Sequence, residues 1–103
     1  MVSINQIENV ARKIGKCINA QSVFLFGSYS RNQASENSDV DLLVIADSDL
    51  PRHKRSRKIH LMFKPYPFPM DILVYTPEEV KRESEFEISF ISRALREGKK
   101  LYG

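Results

Sequence analysis

The chain of 103 residues lacks several features that mark particular classes of protein. It has no tryptophan and a single cysteine, Cys17, which cannot form a disulfide within one chain. No apolar run approaches the roughly 20 residues that a membrane-spanning helix needs. Residues 1–6 have neither the basic start nor the apolar block of a signal peptide. These absences argue against a disulfide-rich or membrane protein and predict a protein of the reducing cytoplasm.

The length predicts one domain that covers residues 1–103. Such a chain can bury a single core but has no room for a second, substrate-binding domain. Its hydrophobic content of 42% and charged content of 28% are typical of an ordinary soluble protein.

Positive charge is concentrated in one segment, which we call the basic run (residues 52–58). Five lysines and arginines lie there, and without them the formal charge would fall from +3 to −2. The run consists of Arg52, Lys54, Arg55, Arg57 and Lys58. It either forms a solvated surface or, if it borders a site, attracts ATP, an RNA acceptor or an acidic partner.

Three segments have the apolar periodicity of amphipathic helices. The first, over about residues 4–19, begins with a capping box of Ser3 and Gln6, and Cys17 on its apolar side is expected in the core. The second covers residues 52–63. One or two helices follow a further capping box at residues 76–79 and end at Gly98. Their buried side is expected to contain Phe86, Phe90, Ile91, Ala94 and Leu95.

Strands are predicted where short β-prone apolar runs lie between turn residues. The runs cover residues 23–26, 39–46 and 70–75, and a last short strand is predicted at residues 101–102. Residues 28–38 are small and polar, which indicates a turn, with one helical turn at residues 31–34.

Two signals point to chemistry. Gly27-Ser28 directly follows the first strand, where glycine permits a sharp turn and close approach of a phosphate, and the following N–H groups can bind an anion. Asp39 and Asp41 share one face of the second strand, about 7 Å apart. Two like charges placed so repel each other. Either both are solvated at the end of the strand or a divalent cation binds them, since Mg²⁺ pairs one or two carboxylates with substrate phosphates.

A third acid, Asp71, interrupts the apolar pattern at the start of the next strand. Three carboxylates at the ends of two strands predict a two-metal site that clamps the attacking and leaving oxygens of a phosphoryl transfer.

The combined pattern resembles the polymerase-β-like nucleotidyltransferase superfamily. Gly27-Ser28, ten intervening residues and Asp39-Val40-Asp41 are similar to its signature, and the stretches 23–31, 71–79 and 96–102 are also similar. The likeness is closest to the minimal nucleotidyltransferases, the antitoxins of HEPN–MNT toxin–antitoxin pairs. It implies an α/β (α+β) fold with a small mixed sheet and flanking helices, like the polymerase-β palm.

The resemblance also implies roles for individual residues. Asp39 and Asp41 would bind two Mg²⁺ ions or the nucleotide-bound one, and Asp71 would bind the second and help activate the acceptor hydroxyl. Ser28 would bind the outer phosphates of ATP, and Gly27 would permit their approach. The acceptor oxygen would attack the α-phosphate and release pyrophosphate.

Two further residues of the loop bear on phosphate binding. Arg31 either steadies a phosphate or is solvated. Asn32 stands where the family often has glycine, and asparagine tolerates a left-handed backbone better than most residues.

The leading hypothesis is therefore a protein adenylyltransferase that modifies a tyrosine of a HEPN toxin, its partner, with ATP as substrate. An alternative is an antitoxin that neutralises its toxin by binding alone, in a homo- or hetero-oligomer. A nucleic-acid-binding role for the basic run ranks last, because no RNA-binding motif is present. No membrane association is expected.

Overall fold

A computed structural model of the chain describes residues 2–103, in which four α-helices accompany one four-stranded sheet. A 3-10 turn, Arg52–Lys54, precedes the second helix. The helices are α1 (Ile4–Cys17), α2 (Arg57–Met62), α3 (Pro77–Glu83) and α4 (Phe90–Glu97). The strands are β1 (Ser22–Phe26), β2 (Val40–Ile45), β3 (Met70–Tyr75) and β4 (Lys99–Tyr102). None of the helices described combines the length and apolar character needed to cross a membrane.

The strands lie in the order β3-β2-β1-β4. β2 and β3 are parallel, whereas β1 runs antiparallel to both of its neighbours, β2 and β4. This mixed sheet with flanking helices confirms the predicted fold class. The C-terminal end of β1 and the N-terminal ends of β2 and β3 consequently meet at one edge of the sheet.

Helices cover both faces of the sheet. One face packs on α1, with Ile7, Ile14, Leu25 and Leu42 completely buried. The opposite face packs on α4, where Leu43 and Tyr75 bury against Ile91 and Ala94. The odd-numbered residues of β2 and β3 point to the α4 face, because side chains alternate along a strand.

The hydrogen bonds of both predicted capping boxes are present. The Ser3 hydroxyl accepts from the backbone N–H of Gln6, whose side chain accepts from the Ser3 backbone N–H. Thr76 and Glu79 form the same reciprocal pair at the start of α3.

The predicted helix over residues 52–63 is wrong in its first part, because the two halves of the segment contact different elements of the fold. Arg52 and Arg55 are both drawn to the carboxylate of Glu79 on α3. Ile59, in contrast, is fully buried against the sheet. The segment therefore bends into the 3-10 turn and the short α2. The helical turn predicted at residues 31–34 is also absent, since a turn over residues 28–32 replaces it.

Three residues predicted to be buried are exposed. Cys17 is exposed at the end of α1, where Ile18 takes the half-buried position instead. Phe86 lies in the loop between α3 and α4 and is 62% exposed, and Phe90, the first residue of α4, is 39% exposed. Helical periodicity predicts that both phenylalanines are buried, but Phe86 lies outside any helix and Phe90 is only the first residue of α4.

Candidate active site

Asp41 and Asp71 lie side by side at the edge of the sheet where β2 and β3 begin. They are register partners on these parallel strands. Neighbouring strands are about 4.8 Å apart, and register partners project from the same face. Both carboxylates therefore lie on the α4 face, although nearly thirty residues separate them in sequence.

Asp39 completes a cluster of like charge around Asp41. It precedes β2 rather than starting it, so the predicted strand of residues 39–46 is one residue too long at each end. The pKa of Asp41 is raised above its ordinary value of 3.8, first by burial and then by the negative charges of Asp71 and Asp39. The positive charge of Arg31 acts in the opposite direction. The fold thus brings all three predicted aspartates and Arg31 into one electrostatic neighbourhood.

Gly27 is in direct contact with this cluster. Its φ of +74° lies in the left-handed region that side chains disfavour. A Cβ atom at this position would lie 2.2 Å from Oδ2 of Asp41. The loop backbone is therefore pressed against the carboxylate, and only glycine permits that approach.

In the loop that begins at Gly27, the first carbonyl groups accept hydrogen bonds, whereas the first backbone N–H groups donate none to the described residues. The carbonyl of Gly27 accepts from the backbone N–H and the hydroxyl of Ser30, at 3.2 and 2.8 Å. The carbonyl of Ser28 accepts from the N–H of Gln33 at 2.9 Å. Within residues 2–103, the backbone N–H groups of Ser28 and Tyr29 have no hydrogen-bond acceptor. Such unpaired N–H groups are suited to bind an anion.

Asn32 adopts the left-handed backbone that the loop requires, with φ of +59°. Where the resembled family often has glycine, asparagine thus keeps the turn closed. Asn32 thus has the left-handed conformation that asparagine is expected to tolerate.

The residues at this edge suit a divalent cation in chemistry, though not as a closed cage. Across the part of the chain that the structure describes, no three His, Cys, Asp or Glu side chains are grouped as a complete metal site. Asp41 and Asp71 nevertheless offer paired oxygen donors of the kind Mg²⁺ takes together with phosphate oxygens. A cation would also relieve the repulsion that raises the pKa of Asp41. The predicted metal role of the three aspartates stays a prediction.

An open pocket of about 420 Å³ borders the loop on the α4 face. Its walls come from the end of β1, the loop after it, Ile88 and the length of α4. They consist of Phe26, Gly27, Arg31, Ile88, Phe90, Arg93, Ala94 and Glu97. The sequence interpretation missed Ile88 and placed Phe90 in the core. The alternation of acidic and apolar residues over 85–88 was the available signal, since it does not fit a buried helix face.

The basic run lies at the other end of β3 from Asp71. The guanidinium of Arg52 stacks over the ring of Tyr75, 4.0 Å from its centroid, and Arg55 donates to the carbonyl of Val74 at 3.2 Å. Tyr75 is four residues beyond Asp71, about 13 Å along the strand. The possibility that the run borders the site is therefore wrong. Two of its five cations instead tie β3 to α3.

Comparison with known proteins adds a family and a fold. A family model described as nucleotidyltransferase domain matches residues 4–102. Two candidate protein adenylyltransferases of Methanocaldococcus jannaschii are 57% identical over 47 residues and 40% identical over 48 residues. These segments are 41% and 43% of this chain but 31% and 49% of the relatives, so the match spans half of their length or less.

Two solved structures share the fold. A candidate nucleotidyltransferase from Sulfolobus solfataricus superposes with a TM-score of 0.58 at 17% identity, over 76% of this chain and 70% of that one. A toxin–antitoxin crystal structure with AMP-PNP gives a TM-score of 0.57 at 23% identity, over 93% of this chain and 73% of that one.

Proposed function

Because the chain belongs to the nucleotidyltransferase domain family, we propose that it transfers AMP from ATP to a hydroxyl group of another protein. One observation carries the proposal: the Asp41 carboxylate is placed between its register partner Asp71 and the backbone of Gly27. Acids that bind cations and a loop that accepts phosphate are thus in contact, as transfer of a nucleotidyl group requires.

Each residue has a distinct task in this reaction. The free N–H groups of Ser28 and Tyr29 would bind the outer phosphates of ATP, and Arg31 would add positive charge beside them. Asp39, Asp41 and Asp71 would hold Mg²⁺ ions. These ions would neutralise the charge that develops on the phosphates.

Asp71, on the more exposed strand, would accept the proton of the acceptor hydroxyl. The acceptor oxygen then forms a bond to the α-phosphorus. The bond from that phosphorus to the bridging oxygen breaks, and pyrophosphate leaves with the electron pair.

For the acceptor we propose a tyrosine of a cognate HEPN toxin, so that this chain acts as an antitoxin. Support comes from the resemblance to minimal nucleotidyltransferases and from the shared fold of the toxin–antitoxin structure. Two relatives bear the name of candidate protein adenylyltransferases, which supports a protein as acceptor.

The test is to incubate the purified chain with Mg²⁺ and the protein encoded by the neighbouring gene, which the proposal expects to be a HEPN toxin. ATP labelled at the α-phosphate should label that protein, whereas ATP labelled at the γ-phosphate should not. Asp41→Ala and Asp71→Ala should each abolish labelling. The proposal is wrong if label is absent with the wild type or persists in the double variant.

A second candidate function is neutralisation of the toxin by binding alone. It is favoured by the exposed apolar side chains of Phe86 and Ile88, which suit contact with a protein. In cells that express the toxin, an Asp41→Ala antitoxin would then restore growth as well as the wild type does. Loss of rescue by this variant would exclude the binding-only function.

A further inference from the structure

Three large apolar side chains project next to the candidate active site, and we call them the apolar ridge: Phe86, Ile88 and Phe90. They are 62%, 93% and 39% exposed. Ile88 is the most exposed of the large hydrophobic residues in the part of the chain described. Single exposed apolar residues are common on protein surfaces, but three within five residues form a patch that marks an interaction site.

The loop that carries the ridge, residues 84–89, is fixed by side-chain hydrogen bonds. The hydroxyl of Ser89 donates to the carbonyl of Glu83 at 2.8 Å, and that of Ser92 donates to the carbonyl of Phe86 at 2.7 Å. The Ser89 hydroxyl also accepts from the Ser92 backbone N–H at 3.0 Å as the cap of α4. Ile88 is consequently held outward by a loop with fixed ends, so little ordering would be needed for a partner to bind.

The ridge is continuous with the proposed site. Ile88 and Phe90 line the same pocket as Gly27 and Arg31. The ring of Phe90 packs edge-on against Phe26, the last residue of β1, with ring centroids 5.2 Å apart. A protein seated on the ridge would therefore lie next to the loop that contacts Asp41.

The charge around the ridge indicates what kind of partner fits. Glu85 and Glu87 alternate with Phe86 and Ile88, and both acids are exposed. Neither forms an ion pair within residues 2–103. An apolar surface flanked by free carboxylates is complementary to an apolar hollow bordered by lysine or arginine.

We propose that the apolar ridge docks the protein that supplies the acceptor hydroxyl, through an apolar hollow with a basic border. The proposal rests on the proposed function and adds to it the surface that selects the acceptor. The exposed carboxylates of Glu85 and Glu87, which alternate with the ridge residues, disfavour a nucleic-acid partner.

The test compares Ile88→Ser and Phe86→Ser with Leu61→Ser, a matched control on α2 that is 59% exposed. Transfer of AMP to the protein encoded by the neighbouring gene is measured as kcat/KM, and ATP affinity is measured with a fluorescent N-methylanthraniloyl ATP. We expect each ridge variant to lose roughly 10- to 100-fold in kcat/KM, the effect of no longer burying one large side chain. ATP affinity and the Leu61→Ser control should be unchanged.

The outcomes separate the two proposals. If ridge variants transfer as fast as the wild type, or if they lose ATP affinity in proportion to their rate, the docking surface is wrong and the proposed function stands. If the wild type transfers nothing, the proposed function fails, and calorimetric binding of the HEPN protein then decides the docking surface alone. Equal affinity of wild type and Ile88→Ser, or no binding at all, would overturn it.

A charge reversal gives an independent test of the basic border. Glu85→Lys with Glu87→Lys should lower kcat/KM at low salt by about tenfold or more, and the difference should shrink as salt is added. A rate that rises on reversal would mean that the border of the partner is acidic, contrary to the proposal.

Discussion

Replacing Asp41 by asparagine should stabilise the folded chain at neutral pH while it abolishes AMP transfer. The side chain keeps its size and its place between Gly27 and Asp71, so the packing of the edge is preserved. What changes is the charge, which in the wild type lies beside two other carboxylates and is partly buried.

The expected gain follows from the arrangement of charges. Like charges directly opposite on paired strands destabilise by about 0.2–1 kcal/mol. Asp41 has one such charge opposite it, that of Asp71, and a second two residues before it, that of Asp39, but it is partly exposed and solvent screens the repulsion. The net gain is therefore about 1 kcal/mol, which in a domain of this size raises Tm by about 4–8 °C.

The pH dependence has a definite sign. Folding raises the pKa of Asp41 above its ordinary value of 3.8, so the folded state binds more protons than the unfolded state just above that pH. Wild-type stability then falls as pH rises through this window, and the deficit is complete above the folded-state pKa. The advantage of Asp41→Asn should accordingly be full at pH 7 and vanish below 3.8.

Thermal unfolding at pH 7 and pH 3, in low and high salt, provides the measurement. Glu36→Gln is the control, because it removes an exposed carboxylate from the loop before β2 without touching the cluster. The reasoning is refuted if Asp41→Asn melts no higher than the wild type at pH 7. It is refuted equally if the gain persists undiminished at pH 3 or appears in the control.

Three further changes test the scaffold of the site. Gly27→Ala should lower the free energy of unfolding by about 1–2 kcal/mol because of the positive φ at this position. It should also reduce transfer at least about tenfold, because its Cβ displaces the Asp41 carboxylate. Urea unfolding measures the first effect and the labelling assay the second, and normal activity would contradict the contact. Glu79→Gln should lower the free energy of unfolding at pH 7 by about 1–3 kcal/mol, because it weakens the pair with Arg55. Folding lowers the pKa of Glu79 from 4.5 to about 2, so the difference in stability from the wild type should disappear as pH falls through that interval. Asn32→Gly should leave Tm nearly unchanged, whereas Asn32→Val should lower it by several degrees, because the φ of residue 32 is +59°. Equal effects of the two substitutions would show that residue 32 does not have a left-handed backbone.

Local features of the fold could be predicted because they depend on residues close in sequence. Both capping boxes form, and the bounds of β1, β2 and β3 lie within a residue of those predicted. The break in the second helix could not be predicted, because it depends on Glu79, which pairs with Arg52 and Arg55 from more than twenty residues away. Long-range ion pairs leave no periodic signal in the sequence.

The candidate site shows the same division. The spacing of Asp39 and Asp41 is a local property of one segment, and the contact of Gly27 with Asp41 follows from antiparallel pairing of adjacent strands. The exposure of Phe86 and Phe90 contradicts the burial predicted for them from helical periodicity. Core residues and docking residues have the same composition, and only the tertiary structure distinguishes them.

The direction of β3 decides whether a three-acid site exists at all. Gly27 follows the end of β1, and Asp41 lies opposite Phe26 because β1 and β2 are antiparallel. Asp71 joins them only because β3 runs parallel to β2, which puts both strand beginnings at the same edge. In an antiparallel arrangement the second residue of β3 would lie at the opposite edge, more than 10 Å from Asp41 by the rise of a strand. The long connection through α2, which a parallel pair requires, is thus the part of the fold that converts a two-acid motif into a candidate site for nucleotidyl transfer.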